Sequence, residues 1–131
     1  MDQVAAAQFA NFIARFYQNL AMKVGDYLHD NIGIISNDQV SILSDDQTRL
    51  ISYSNTFFAL SDSIAFQGAD AYFKSVQDAT GDITAALDQI KKVDTVITIA
   101  ANVITLAGGI VSKNGSMIGT ALTTLKGVVK L

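Results

Sequence analysis

The stretch TVITIAANVITLAGGIVS, residues 95–112, contains no charged side chain, although the chain around it is that of a small charged protein. A membrane span, a buried core helix and an oligomer seam would all produce such a run. How it is read decides the fold.

Upstream of it lies the most regular pattern in the sequence. Ala69, Tyr72, Val76, Ala79, Ile83, Ala86, Ile90, Val93, Ile97, Ala100, Ile104, Ala107 and Val111 step by three and four without a miss. That spacing is a heptad seam, in which β-branched residues alternating with alanine predict close helix contact. An unbroken helix over 69–112 would be about 60 Å long at ~1.5 Å per residue. Thr80, Gly81 and Asp82 form the expected break. Opposite the seam runs a polar stripe, charged as far as Lys91 and neutral beyond it: Thr95, Thr98, Asn102, Thr105, Gly109 and Ser112. Val96, Ile99, Val103, Leu106 and Ile110 lie between seam and stripe, so the helix is apolar over most of its circumference.

Two further helices precede this one. Phe9, Ile13, Phe16, Leu20, Val24 and Tyr27 follow the amphipathic period and predict a helix over 3–31, with Asp2 as N-cap and Gly33 beyond its end. Ser44, Asp45, Asp46 and Gln47 read as a capping box, which predicts a second helix over 45–67 carrying Leu50, Tyr53, Phe57, Leu60 and Ile64. After the turn signal Lys113-Asn114-Gly115, with Ser116 as cap, Ile118, Leu122, Leu125 and Val129 predict a last helix over 116–131. It would fold back on residues 95–112 as an apolar hairpin. The expected architecture is all-α: one domain over 1–131, an elongated antiparallel bundle of four to five helices.

Composition narrows the function. Proline and cysteine are absent, which removes the strongest helix breaker, disulfides and thiolate metal sites. All twelve acidic residues are Asp and lie in residues 1–94 against six basic ones, whereas residues 95–131 hold only Lys113, Lys126 and Lys130. An acidic body with a basic, apolar tail suits contact with an acidic or lipid surface. The N-terminus lacks the basic region and continuous apolar core of a secretory signal, so the soluble form is expected to be cytoplasmic or exported by a non-classical route.

Catalytic chemistry is not indicated. His29 is the lone histidine and has only Asp30 beside it, without a nucleophile or orienting group. No phosphate loop, dinucleotide fingerprint or metal-binding spacing occurs. The basic residues form no stripe for nucleic acid. No cofactor, small-molecule substrate or nucleic acid is expected as a ligand.

Over about residues 90–131 the layout resembles, in design, the concealed apolar hairpin of α-helical pore-forming toxins. That likeness implies a membrane-active, non-enzymatic protein whose partners are a lipid membrane or a second protein component, and which forms a homo-oligomer. Ile97, Ile99, Val103, Ile104, Leu106, Ile110 and Val111 would be the inserting surface, with Gly108 and Gly109 as the flexible point. Lys113, Lys126 and Lys130 would contact headgroups, and Thr98, Asn102 and Thr105 would line a pore. The competing expectation is a homo-oligomeric scaffold or protein-binding module that uses the Ile/Ala seam.

Overall fold

A computed structural model describes residues 3–60, 73–89 and 92–129. Five α-helices succeed one another: α1 (Gln3–Asn31), α2 (Asn37–Ala59), α3 (Phe73–Leu87), α4 (Val93–Val111) and α5 (Gly115–Val129), with no strand among the described residues. The expectations for Asp2, Ile64, Ala69, Tyr72, Ile90, Lys91 and Lys130 lie outside the described residues.

α1 occupies its expected span, because the apolar steps Phe9, Ile13, Phe16, Leu20 and Val24 give it one continuous buried face. It stops where Gly33 takes a left-handed φ of 83°, a conformation open to glycine without steric cost. α2 starts eight residues earlier than expected. Ser36 caps it: its hydroxyl accepts from the Gln39 amide, and the Gln39 side chain accepts from the Ser36 amide. The sequence holds two S-x-x-Q patterns, and the first is the cap. Ser44 lies inside the helix, where its carbonyl accepts from Thr48. Asp45 and Asp46 therefore do not decorate a first turn, and Asp46 is instead buried on the core face with Leu43, Leu50, Ser54 and Phe57.

α1 and α2 are joined by a short turn and lie side by side, with the Ser54 hydroxyl donating to the Ala14 carbonyl at 2.8 Å. α2 also packs on α4, and α3 packs on α5 and more sparsely on α1. Buried residues from all five helices join in one hydrophobic cluster.

The long helix is interrupted, but between Leu87 and Val93 and not at Gly81. Gly81 sits within α3, where a glycine costs only about 1 kcal/mol relative to alanine. That penalty is too small to end a helix whose Val76, Ala79 and Ile83 are buried. The break also changes the rotation of α4 relative to α3. α3 buries Val76, Ala79 and Ile83 of the expected seam, whereas α4 keeps only the seam alanines Ala100 and Ala107 in the core, adds Val96, Ile99, Val103, Leu106 and Ile110 to them, and leaves Ile97, Ile104 and Val111 on the flank or exposed. Nothing lies within 4 Å of a side chain added at Gly81. Gly81→Ala is therefore expected to raise stability by about 0.5–1 kcal/mol, measured by urea denaturation.

Candidate functional site

α4 is 19 residues long with a mean hydropathy of 1.7, and among the described residues it is the one helix long and apolar enough to cross a membrane. At ~1.5 Å per residue it measures about 28 Å, close to a hydrocarbon layer of about 30 Å. Ser112, Lys113 and Asn114 turn the chain into α5. The Lys113 and Asn114 amides bond back to the carbonyls of Ile110 and Gly109, which ends α4 in a Schellman arrangement. Lys113 holds the left-handed position of that turn at φ 58°. Glycine is usual there, and a side chain costs about 1–2 kcal/mol. The start of α5 is capped by Asn114, not Ser116: its side-chain oxygen accepts from the Met117 amide at 3.1 Å.

The two glycines expected to form a flexible point lie inside regular helix. Their use is close approach. A Cβ on Gly109 would stand 3.0 Å from Ile118 Cγ1 and 3.1 Å from the Ile118 amide, so α5 crosses α4 here almost backbone to backbone. Gly108 faces the Met117 side chain and the Tyr53 hydroxyl, each within about 3.5 Å of where a Cβ would stand.

The expected inserting residues do not share one outward face. Ile99, Val103, Leu106 and Ile110 are buried in the core, Ile97 and Ile104 are half-buried on its flank, and Val111 is exposed. In water the buried set stabilises the packed state by about 1.5–3 kcal/mol per side chain. One polar tie reaches α4 from α1: the fully buried Tyr17 hydroxyl donates to the Val103 carbonyl at 2.6 Å. Its ring lies against Phe16, Tyr53 and Phe57, with centroids 5.3, 6.4 and 5.3 Å away. Burial, and next the neighbouring Tyr53, push the Tyr17 phenol well above its ordinary pKa, so it stays a neutral donor. Sequence reading missed Tyr17. Its place beside Phe16 in the apolar arc was a signal for burial, but a main-chain acceptor on another helix leaves no mark in sequence.

Thr98 and Thr105 are exposed and Asn102 is half-exposed, as a stripe requires. Each bonds within its own helix. Thr98 donates to Asp94 O at 2.9 Å, Asn102 to Thr98 O at 2.8 Å and Thr105 to Ala101 O at 3.0 Å. Ser112 does the same to Gly108, and on α5 Thr123 and Thr124 do so to Gly119 and Thr120. These hydroxyl donors need no water, which lowers the cost of moving them into an apolar medium. Lys113 and Lys126 are exposed at the turn and on the outer side of α5, while Lys130 lies outside the described residues. From residue 95 to residue 125 the only charged side chain is Lys113.

Elsewhere, His29 is exposed in the last turn of α1. No group of three or more His, Cys, Asp or Glu placed to hold a metal ion occurs among the described residues. Asp46 is the anomaly of the interior. It is 8 % exposed, and its Oδ2 has no hydrogen-bond partner. Burial raises its pKa, Arg49 pulls it back and Asp45 adds to the rise. The chain matches no protein-family model, no curated protein and no solved structure.

Proposed function

We propose that the chain is a non-enzymatic, membrane-active protein of pore-forming or toxin-like type, in which an elongated antiparallel bundle shields the α4–α5 hairpin until lipid replaces the core. The carrying observation is that residues 95–125 hold one charge, Lys113, placed at the tip, while the exposed hydroxyls of Thr98, Thr105, Ser112, Thr123 and Thr124 bond to carbonyls of their own helices. On release, Val96, Ile99, Val103, Leu106 and Ile110 would exchange core for acyl chains at little loss. Thr98, Asn102 and Thr105 would face water or a partner helix. Lys113, Lys126 and Lys130 would meet anionic headgroups, which attract about 1 kcal/mol per basic residue. Lysine in the strained turn position of α4–α5 supports this reading, because glycine would suit the fold better there.

The test is release of a trapped dye from anionic liposomes. Wild type is expected to leak them. A charge at the bilayer centre costs about 2.5–3.5 kcal/mol, so Thr98→Lys or Thr105→Lys is expected to cut leakage at least about tenfold while circular dichroism stays unchanged. Lys113→Gly is expected to raise stability by about 1 kcal/mol yet weaken vesicle binding. Leakage by the lysine variants at the wild-type rate would refute insertion of α4. If wild type neither binds nor leaks vesicles, the second reading stands: a homo-oligomeric coiled-coil scaffold or protein-binding module. The half-buried Ile97 and Ile104 and the exposed Val111 favour that alternative, since they leave the large apolar half of the seam on the flank while Ala100 and Ala107 are buried.

A further inference from the structure

The five helices fall into two groups. α1 and α2 are closely joined: the Ser54 hydroxyl bonds to the Ala14 carbonyl, and a Cβ at Gly25 would stand 2.5 Å from the Gln47 side-chain nitrogen. α4 and α5 meet almost backbone to backbone at Gly109, and α3 packs chiefly on α5. Between the groups the packing is thinner, with α2 on α4 and a sparse contact of α3 on α1. Three clefts lie along that division. One of about 650 Å³ has Phe12, Arg15 and Asn19 of α1 on one wall and Gly81 and Thr84 of α3 on the other. A second, of about 390 Å³, opens between the last turns of α1 and the end of α3, and a third, of about 450 Å³, between α2 and Ile104 of α4. Water therefore reaches the boundary from several sides.

We infer that the fold opens along this line in water, α1 and α2 staying paired while α3, α4 and α5 move off together, and that the Tyr17–Val103 hydrogen bond is the latch that sets how often it does so. Units joined by few buried contacts open at a lower free energy than global unfolding requires. The Lys23–Asp88 ion pair crosses the line at an exposed edge, where water screens it and it holds little. The Tyr17 hydroxyl crosses it in the dry interior, where a bond is worth most. The aromatic neighbours of its ring, Phe16, Tyr53 and Phe57, all belong to α1 and α2, whereas its hydroxyl is bonded to α4. The ring therefore stays with its own group when the bond breaks. The inference rests on the insertion reading for its purpose, since it names what holds the hairpin back, but the opening itself needs no lipid.

Thiol labelling of the full chain without lipid tests it. The chain has no cysteine and Val103 is fully buried, so Val103→Cys supplies a single thiol that an aromatic disulfide reagent reaches when α4 is uncovered. At low urea the labelling rate is expected to rise with at most about half the urea dependence of global unfolding, because that dependence follows the surface exposed. Adding Tyr17→Phe keeps the ring and removes the crossing bond, and is expected to speed labelling about 2- to 10-fold. Adding Ser54→Ala removes a buried bond inside the α1–α2 pair and is expected to leave the rate unchanged. A urea dependence equal to that of global unfolding overturns the inference. So does a Tyr17→Phe variant labelled at the unchanged rate, or a Ser54→Ala variant accelerated as much. The expected labelling pattern in a protein that leaks no vesicles would uphold the latch and remove the insertion reading alone.

Discussion

Leu106→Ala is expected to destabilise the protein by about 2–5 kcal/mol, whereas Ile104→Ala, two residues away, should cost about 1 kcal/mol. Both residues look equivalent by composition, and the regular heptad steps favour Ile104 as the core residue. The structure reverses that order. Leu106 is fully buried, while Ile104 is half-buried and borders the open cleft beside Arg49, Ser52, Tyr53 and Thr56. Removing the Leu106 side chain leaves a cavity between helices that cannot all collapse together. Urea denaturation of the two variants measures the difference. Equal losses would mean that α4 is rotated back toward the seam register.

Asp46→Asn is expected to act in the opposite direction, raising stability at pH 7 by about 1–2 kcal/mol. The carboxylate is buried on the core face of α2, with one oxygen lacking a partner. Asparagine keeps the shape and removes the charge. The pH dependence comes from the direction of the shift. Burial raises the folded-state pKa of Asp46 above its unfolded value of about 4, so the unfolded chain ionises first as pH rises. The favourable contribution of the protonated side chain is complete below about pH 4 and is lost as pH rises through the folded-state value. The advantage of asparagine over wild type should therefore grow from acid toward neutral pH and then level off. A constant difference across that range would mean that Asp46 is solvated in the fold.

These two sites also mark where sequence reading succeeded and where it fell short. α1 was legible end to end, because its amphipathic period and the turn glycine Gly33 agree. The apolar hairpin and its neutral stripe were legible from the absence of charge in residues 95–112. The start of α2 was ambiguous because Ser36-to-Gln39 and Ser44-to-Gln47 carry the same capping chemistry, and the earlier one wins once Leu43 is buried on the helix. The α3–α4 break was not legible at all. Gly81 is the stronger local breaker, yet tertiary packing holds it helical and yields between Leu87 and Val93, where Asp88, Gln89, Lys91 and Lys92 are polar or charged. Beyond that break α4 keeps the seam alanines Ala100 and Ala107 buried but turns Ile97 and Ile104 to the flank, with Ile99, Val103, Leu106 and Ile110 in the core. Asp46 looked like a capping residue because sequence shows charge type but not depth.

The hydroxyl of Tyr17, bound to the Val103 carbonyl, has a practical consequence. The chain has four tyrosines and no tryptophan, so its near-ultraviolet spectrum comes chiefly from phenols. Tyr17 sits dry among aromatic rings and reports on α4 through a single bond. Separation of α4 from α1 would break that bond and change the phenol's surroundings, altering tyrosine absorption and emission. The protein thus carries an internal optical reporter on the helix whose movement matters most, and unlabelled material mixed with lipid in a stopped-flow cell is enough to time it.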